Sequence, residues 1–319
     1  MRVAIVGMGM MGRLHARTMS SRADLELVGV ETDSGAREVA AAELGIPVVT
    51  TLDEVVNDCD AVVITLPDHL HVADAIQALE AEKYVLVEKP LAGTTQECDR
   101  IIAADAGRNR LMVGHLLRFD ERLRELRRRI VDGVLGELHY VRIHRSNLVT
   151  SGERLGGRVS VVGFLGVHDL DLLLWLTGQS VTAVSAQGRR VFTTTWDVVT
   201  ASLELSGGTL AQVENHWLIH RASARSCLAG VEIFGSRGTA LVDLSTDELE
   251  LVTDDDPRSV RVDGHNWTHD PVVSGGSLHR QDMAFLAAVR SGGPVPTTGL
   301  DGRNAVAAVE LVEASLRHR

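Results

Sequence analysis

Residues 2–12 of the chain have the sequence RVAIVGMGMMG. Arg2–Val6 is a short apolar run of the kind that forms a buried β-strand, and glycines follow it at positions 7, 9 and 12. A Gly-x-Gly-x-x-Gly loop between a strand and a helix binds a pyrophosphate, because the glycines permit a tight turn and the helix N-terminus presents N–H donors. Glycine-rich turns also occur without a ligand, so the loop predicts a dinucleotide site only if its surroundings agree. The residues predicted to bind are Gly7, Gly9, Met10, Met11 and Gly12.

The surroundings agree, because short apolar runs alternate with helical patterns over residues 1–117. The predicted strands are Arg2–Val6, Leu25–Val30, Asp60–Thr65, Tyr84–Val87 and Arg110–Val113. They are apolar almost throughout, as strands are when helices cover both faces of a parallel sheet. The alternation predicts an α/β fold for residues 1–117, a Rossmann domain with a doubly wound parallel sheet.

From residue 118 onward the strand-like segments alternate apolar and polar residues, which is typical of antiparallel sheets. These segments are 138–146, 181–188, 198–205, 209–215, 231–234 and 239–242. Helices are predicted over 120–133, 168–177, 278–291 and 302–318. We therefore expect residues 118–319 to form an α+β domain on a largely antiparallel sheet, which binds the substrate and joins the subunits. The last helix is expected to pack near the Rossmann domain.

The composition narrows the classes of partner. A formal net charge of −11 disfavours binding to nucleic acid or to anionic membranes. No apolar run approaches the roughly 20 residues that a membrane span needs, and the first strand follows Met1 directly, so we expect a cytoplasmic protein. The three cysteines form no CxxC pair, which favours reduced thiols. No cluster of ligands has the spacing of a zinc site, so no metal is expected.

Glu31 and Asp33 follow the second predicted strand, where an acidic residue binds the adenosine ribose in Rossmann domains. A carboxylate there accepts hydrogen bonds from the ribose diol of NAD and repels the additional phosphate of NADP. No arginine directly follows the strand, although Arg37 is near. The residues favour NAD, and NADP stays open as a second possibility. The alternative is that Glu31 and Asp33 are only turn residues.

Lys89 is one of only two lysines among 32 basic residues, the other being Lys83. It lies in the sequence Glu88-Lys89-Pro90, just past the carboxyl end of a predicted strand, where open α/β sheets bind their ligands. A lysine can donate and accept a proton, whereas an arginine stays charged. We therefore expect Lys89 to act in proton chemistry. A surface salt bridge with Glu88 is the alternative.

His168 opens a predicted helix whose remainder is apolar. The dipole of a helix favours a neutral imidazole at its N-terminus, and a neutral imidazole can act as a general base. Asp171, three residues later, lies on the same face and could orient the ring. The alternative is that His168 and the neighbouring aspartates only cap the helix, and the spacing does not decide between the two.

Several motifs occur together in an order that resembles the Gfo/Idh/MocA family, which is named after glucose–fructose oxidoreductase, inositol dehydrogenase and a rhizopine-catabolism protein. The resemblance rests on residues 7–12, on 65–71 (TLPDHLH), on Glu88-Lys89-Pro90, on Gly114-His115 with Arg118-Phe119, on Gly163–Gly178 and on 234–238 (FGSRG). It covers essentially the whole chain. Within the family, the stretch from Arg110 to Gly178 most resembles dehydrogenases of nucleotide-linked amino sugars, and inositol and deoxysugar enzymes are close.

The resemblance implies an NAD(P)-dependent oxidoreductase that transfers a hydride between the nicotinamide and a hydroxyl or keto carbon of a sugar, nucleotide sugar or cyclitol. Lys89 and His168 would be catalytic. His168 would remove the hydroxyl proton while Lys89 stabilises the developing alkoxide. Arg118 and Asp171 would bind substrate. The remaining cofactor-binding residues implied by the resemblance are Thr65, Pro67, His71, Glu88 and Pro90, with Lys89 also contacting the nicotinamide.

One position departs from the family. Many members carry an aspartate four residues before the catalytic histidine, and this chain has Phe164 there. Asp171 or another residue of the second domain would then have to orient His168. Two alternatives stay open: a redox glycosidase of the same family that keeps NAD bound, and a catalytically lapsed NAD-binding sensor or partner protein.

The second domain has few predicted helices for its number of strands. One face of its sheet is therefore expected to be uncovered and apolar, and such a face usually marks a subunit interface. We expect a homo-oligomer, either a dimer or a tetramer.

Overall fold

The computed structural model describes residues 1–245, 248–253, 257–261 and 276–317, and for 248–253 and 257–261 it describes the backbone alone. The strands are β1 (Arg2–Val6), β2 (Glu26–Val30), β3 (Val48–Val49), β4 (Ala61–Ile64), β5 (Tyr84–Glu88), β6 (Leu111–Gly114), β7 (Leu138–Leu148), β8 (Val181–Arg189), β9 (Val198–Leu205), β10 (Leu210–Ile219), β11 (Cys227–Gly235), β12 (Gly238–Asp243), β13 (Glu248–Thr253) and β14 (Pro257–Arg261). The helices are α1 (Met10–Ser20), α2 (Ser34–Leu44), α3 (His71–Glu80), α4 (Thr95–Asp105), α5 (Glu121–Val131), α6 (Val149–Leu155), α7 (Val167–Thr177), α8 (Gly276–Ser291) and α9 (Gly299–Arg317).

The chain divides into two compact units. The first contains Met1–Phe119 together with Asn266–Val306, and the second contains Asp120–His265 together with Ala307–Arg319. The chain thus returns to the first unit after the second has been built. The sequence predicts a boundary near residue 117, with the later residues in the second domain and the last helix packed near the first. In the structure, α8 packs on α1, and the start of α9 belongs to the first unit.

The sheet of the first unit has the strand order β3-β2-β1-β4-β5-β6, and each neighbouring pair is parallel. This order confirms the predicted doubly wound sheet. The order reverses between β1 and β4, and ligands of open α/β sheets bind outside the carboxyl ends of the strands at such a switch point. The glycine loop after β1 lies at this edge.

Successive residues of the central strands alternate between two apolar layers. Val62 and Ile64 pack into one layer, whereas Ala61 and Val63 pack into the other. The second layer also contains Phe285 of α8, which is fully buried. Because helices cover both faces, both sets of strand side chains leave water, which accounts for the continuous apolar runs in the sequence.

The sheet of the second unit has the strand order β14-β13-β12-β11-β7-β10-β9-β8. The neighbouring strands are antiparallel except for β7 and β10, which run parallel. This confirms the largely antiparallel sheet. On β7, Val141 and Ile143 are buried on the face that carries α7. No helix among the described residues is long and apolar enough to cross a bilayer.

The opposite face of this sheet carries charge at its centre. The guanidinium of Arg142 on β7 lies 3.1 Å from Glu214 on β10 and 3.0 Å from Glu232 on β11. Apolar side chains occur further along the same face, where Phe234 is 38% exposed and pairs with Tyr140 at a ring-centroid distance of 6.0 Å. The face is therefore mixed, whereas the small number of predicted helices led to the expectation of an apolar one.

Candidate cofactor site and active-site residues

The glycine loop has the shape that a pyrophosphate requires. Gly7 has φ +88°, a conformation that residues with a side chain rarely adopt. A Cβ at Gly12 would lie 2.8 Å from Oγ1 of Thr65 and would also collide with the carbonyl oxygen of Gly7. A Cβ at Gly9 would meet nothing within 4 Å, so the loop is open on that side. Gly7 thus permits the tight turn, Gly9 leaves the loop open to a ligand, and Gly12 lets the helix pack closely against the loop.

The N-terminus of α1 is suited to an anion. Gly9 is the N-cap and has no side chain that could accept a hydrogen bond from the first turn, and this turn contains no acidic residue. The first N–H groups of a helix have no acceptor within the helix, and the helix dipole favours negative charge there. Met10, the first helical residue, is 58% exposed. The residues present thus fit the pyrophosphate of a dinucleotide.

Thr65 holds the loop from the neighbouring strand. It follows β4, and its hydroxyl donates to the carbonyl oxygens of Gly7 at 2.6 Å and Val6 at 3.1 Å. This hydroxyl therefore ties the start of the glycine loop to the end of β4. A contact of Thr65 with the cofactor itself stays a prediction.

Glu31 and Asp33 differ in what they do. The Glu31 carboxylate accepts hydrogen bonds from the backbone N–H of Met8 at 3.0 Å and of Asp33 at 3.1 Å, so it joins the end of β2 to the glycine loop. Asp33 is the N-cap of α2 and accepts from the N–H of Ala36 at 2.7 Å. Arg37 donates to the carbonyl oxygen of Glu31 at 2.9 Å. Glu31 therefore lies beside the glycine loop. Asp33 instead caps α2, as expected if it is only a turn residue.

His71 connects two loops at the carboxyl edge of the sheet. It is buried, and its ring nitrogens lie 2.8 Å from the carbonyl oxygen of Leu66 and 2.9 Å from that of Pro90. The loop that contains Pro67 after β4 is thereby tied to the loop after β5. His71 therefore positions these two loops, and through these contacts it would influence cofactor binding only indirectly.

Lys89 follows β5 at the carboxyl edge of the parallel sheet, as predicted, and the Lys89–Pro90 peptide bond is cis. Lys89 is partly buried, whereas Glu88 is only 6% exposed. The backbone N–H of Lys89 donates to the Glu88 carboxylate at 3.3 Å. A Cβ at Gly114 on β6 would lie 2.8 Å from that carboxylate, so glycine leaves it room. Because Glu88 is buried, a salt bridge at the surface does not describe this pair.

Two further residues, which no sequence pattern indicated, lie next to Glu88: His15 contacts it directly, and Asp282 contacts His15. His15 on α1 places Nε2 3.2 Å from Glu88 Oε1 and Nδ1 2.8 Å from Oδ1 of Asp282 on α8. Burial opposes the positive charge, yet Asp282 and Glu88 together raise the pKa of His15 to about 10. The position of His15 after the glycine loop gave no signal beyond an apolar helix face, and Asp282 is 267 residues away.

His168 lies on α7 but does not open the helical segment, which corrects the predicted position. A π-helical turn, Val162–Gly166, leads into α7 without a break, and Gly166 has helical dihedral angles. The N–H groups at the start of α7 are therefore inside a longer helical segment. The helix dipole therefore does not favour a neutral imidazole at His168, because its effect is confined to the first turn of a helical segment.

The neighbour of His168 forms a buried ion pair. Asp169 accepts from Arg145 Nε at 2.9 Å and from Asn215 Nδ2 at 2.7 Å, and both partners come from the sheet. Burial raises the pKa of Asp169, and Arg145 and Asn215 act against that rise. Asp171, two residues further along α7, is also buried. These contacts anchor the start of α7 on the strands β7 and β10.

Phe164 lies in the π-helical turn and contacts Trp217 of β10, with ring centroids 5.7 Å apart at 51°. Trp217 is 1% exposed, so this contact belongs to the core of the second unit. The position at which the family resemblance implies an aspartate therefore has an apolar packing role in this chain.

Arg118, which was predicted to bind substrate, belongs to the first unit. Its guanidinium lies 3.0 Å from Asp301 at the start of α9. Burial raises the pKa of Asp301, but Arg118 and Thr298 more than offset the rise and lower it overall. Arg118 is therefore held in place by a half-buried ion pair.

Comparison with known proteins gives the same picture for both halves of the chain. The family model described as an oxidoreductase family with an NAD-binding Rossmann fold matches residues 1–115, and the model of the GFO/IDH/MocA C-terminal domain matches residues 123–241. UDP-N-acetylglucosamine 3-dehydrogenase of Acidithiobacillus ferrooxidans is 28% identical over 99% of this chain and 97% of its own. Inositol 2-dehydrogenase of Rhizobium meliloti is 28% identical over 99% of this chain and 96% of its own.

A solved structure of the Acidithiobacillus ferrooxidans enzyme superimposes with a TM-score of 0.85 at 26% identity, and the alignment covers 100% of this chain and 98% of that one. A levoglucosan dehydrogenase in complex with NADH and levoglucosan superimposes with a TM-score of 0.88 over 100% of this chain and 97% of that one, and its 21% identity supports the fold alone. Together with the glycine loop after β1, these matches establish that the chain is an NAD-dependent oxidoreductase of the Gfo/Idh/MocA family.

Proposed function

We propose that the protein oxidises a secondary hydroxyl group of a sugar, a nucleotide sugar or a cyclitol, or reduces the corresponding ketone. The observation that carries this proposal is the position of Lys89, which follows β5 at the same sheet edge as the glycine loop. The similarity over nearly the full chain to a nucleotide-sugar dehydrogenase and an inositol dehydrogenase supports this class of substrate.

In this proposal, Lys89 and His168 act on the same substrate oxygen. The nicotinamide, when bound, supplies the acceptor for the hydride that leaves the carbinol carbon. His168 accepts the hydroxyl proton, and the Lys89 ammonium donates a hydrogen bond to the oxygen as negative charge develops on it. Arg118 and Asp171 bind further hydroxyl groups of the substrate. A ketone and a reduced cofactor result, and in the reverse direction His168 returns the proton.

For the cofactor we propose NAD in preference to NADP. Glu31 is partly buried beside the loop, and its carboxylate is held by two backbone N–H groups. A fixed negative charge at the ribose accepts bonds from a diol and repels a phosphate. Arg37 points its guanidinium at the backbone carbonyl oxygens of Glu31 and Thr32, which leaves it engaged in the turn.

We also propose that the protein is cytoplasmic and that subunits associate through the mixed face of the second sheet. Cys59, Cys98 and Cys227, all within the described residues, form no disulfide bond, which agrees with a reducing compartment. A polar centre with apolar flanks, such as Phe234 and Leu218, is compatible with a subunit interface. Light scattering that gives the mass of one chain at micromolar concentration would contradict the assembly.

The function is tested by incubating the protein with NAD and a panel of UDP-linked amino sugars, inositols and simple sugars. NADH formation in proportion to a ketone product is the expected result. Hydrolysis of a glycoside without net NADH formation would instead identify a redox glycosidase. NAD binding without turnover on any member of the panel, together with the absence of ketone reduction, would favour the sensor or partner protein.

A further inference from the structure

One end of the sheet in the second unit carries an excess of positive charge. Leu148, the last residue of β7, pairs with Ile219, the last residue of β10, and β11 begins beside them at Cys227. The connections 149–161, 190–197 and 220–226 leave the sheet at this end. Together they contain five arginines and two acidic residues, whereas the whole chain has a net charge of −11.

Contacts between these connections form them into one surface. The backbone N–H of Val161 donates to the carbonyl oxygen of Trp196 at 2.9 Å, which joins the first connection to the second. Arg221 of the third connection donates to Glu153 of α6 at 2.9 Å. We call this surface the arginine end, and its basic residues are Arg154, Arg158, Arg190 and Arg221.

Most of the positive charge at the arginine end is not neutralised. Arg154 and Arg158 are exposed, and neither forms an ion pair with any residue that the structure describes. Glu153 is already paired with Arg221. The Asp197 carboxylate is 0% exposed and accepts three backbone N–H groups of its own loop, so it does not face the surface.

Two further contacts complete the charges of this surface. The guanidinium of Arg190 lies over the ring of Trp196, 4.6 Å from its centroid. Glu313 of α9 accepts from Ser160 at 2.6 Å and lies 3.4 Å from Arg317, so its charge is offset by an arginine outside the surface. The net positive charge of the arginine end therefore persists when its neighbours are included.

A local excess of guanidinium groups favours an anion with several oxygens. Like charges that lie close together repel, and a bound anion relieves that repulsion. A guanidinium group matches phosphate oxygens with paired hydrogen bonds. Because only two of the 32 basic residues in the chain are lysines, the choice of arginine is not itself a signal. The signal is the concentration of positive charge on an acidic protein.

His168 lies toward the same end of the sheet. Asp169, the next residue, bonds to Arg145 of β7 and Asn215 of β10, which are three and four residues before those strands end. Three residues of strand span roughly 10 Å. A hexose with a diphosphate on its anomeric carbon has a similar length, so such a molecule could place a ring hydroxyl near His168 and its phosphates at the arginine end.

We propose that the arginine end binds the diphosphate group of a nucleotide sugar, which makes a nucleotide sugar the substrate in preference to a free sugar or a cyclitol. The choice rests on the proposed function, because it places the reacting hydroxyl at His168. Arg154 and Arg158 donate hydrogen bonds to the phosphate oxygens. The competing explanation is that these arginines are only a solvated surface.

Arg225 supplies a matched control for the charge. It belongs to the connection 220–226 and is exposed, but it lines a hollow on the opposite face of the sheet together with His144 and His216. Arg225→Gln therefore removes the same charge from the same end of the sheet without changing the arginine end. The test variants are Arg154→Gln and Arg158→Gln, measured singly and combined.

The experiment is calorimetric titration of the full-length protein saturated with NADH, which occupies the glycine loop and prevents oxidation of the probe. The probes are UDP-N-acetylglucosamine, GDP-mannose, N-acetylglucosamine and myo-inositol. We expect the wild type to bind at least one nucleotide sugar more tightly than either uncharged compound. Each single variant should weaken that binding about tenfold, as for the loss of a charged hydrogen bond, and the double variant should weaken it further. The affinity for NADH and the binding by Arg225→Gln should not change.

Three results would overturn the proposal: no binding of either nucleotide sugar by the wild type, an unchanged Kd in the double variant, or an equal loss in Arg225→Gln. These results are separate from the fate of the proposed function. Oxidation of myo-inositol by a protein that binds neither nucleotide sugar would support the proposed function and overturn the diphosphate site. Arginine-dependent binding of a nucleotide sugar without oxidation of any probe would support the site and contradict the proposed function.

Discussion

Phe164, at the position where the family resemblance implies an aspartate, packs its ring against the indole of Trp217 at a centroid distance of 5.7 Å. Phe164→Asp would remove this contact and bring a carboxylate against a tryptophan that is 1% exposed. We expect the free energy of unfolding to fall by about 2–4 kcal/mol, without a gain in turnover. Phe164→Leu keeps an apolar side chain and should cost less. Urea denaturation, monitored by tryptophan fluorescence, measures the free energy of unfolding of both variants. A Phe164→Asp protein that is as stable as the wild type and more active would contradict the packing role of Phe164.

Lys89→Met keeps most of the side-chain volume and removes the hydrogen-bond donor. If Lys89 stabilises the developing alkoxide, kcat should fall by ~10²–10³ while NAD affinity changes little. His168→Asn should lose ~10²–10⁴ through the missing general base, and part of the loss should return at high pH, where the alcohol ionises more readily. Lys83→Met, at the other lysine, is the matched control. Unchanged hydride transfer in both active-site variants, measured with a confirmed substrate, would refute the assigned roles.

Glu31→Gln tests the choice of cofactor, because it keeps the length of the side chain and removes its charge. We expect the wild type to bind NAD more tightly than NADP, and the variant to bind NAD about tenfold more weakly, as for the loss of a charged hydrogen bond. Its preference for NAD over NADP should narrow. Asp33→Asn is the control, since asparagine also caps a helix well. Calorimetric titration with both cofactors measures these affinities. Tighter binding of NADP than of NAD by the wild type would contradict the preference for NAD.

The buried imidazolium predicts how stability depends on pH. The folded pKa of His15, about 10, lies above the unfolded value of 6.5. The stabilisation is therefore fully present below pH 6.5 and is lost as the pH rises towards 10. Between pH 7 and 8.5 the free energy of unfolding should decrease by up to about 1.4 kcal/mol per pH unit from this group. Urea denaturation at several pH values should show a flatter profile for His15→Gln. The window stops below the titration of Cys59 and Cys227, whose pKa values burial raises.

Much of the first unit could be predicted from the sequence because the signals are local. A strand, a glycine loop and a helix follow one another within residues 2–20, so the requirements of backbone geometry are visible in adjacent residues. The same holds for Lys89, since its position after an apolar strand places it at the carboxyl edge of any parallel sheet. Period-2 alternation likewise predicted β7, β9 and β10, because one face of each strand must be apolar.

Only the tertiary structure decided which distant side chains meet. His15 and Asp282 are 267 residues apart, and neither has a neighbour in the sequence that indicates a buried ion pair. The pairing arises because α8 returns to cover the first sheet next to α1. In the second unit, the sheet register places Arg145 and Asn215 against Asp169, and the π-helical turn moves His168 away from the start of its helical segment. Periodicity determines which face of an element is buried, but the partner of a buried charge depends on how the elements pack in three dimensions.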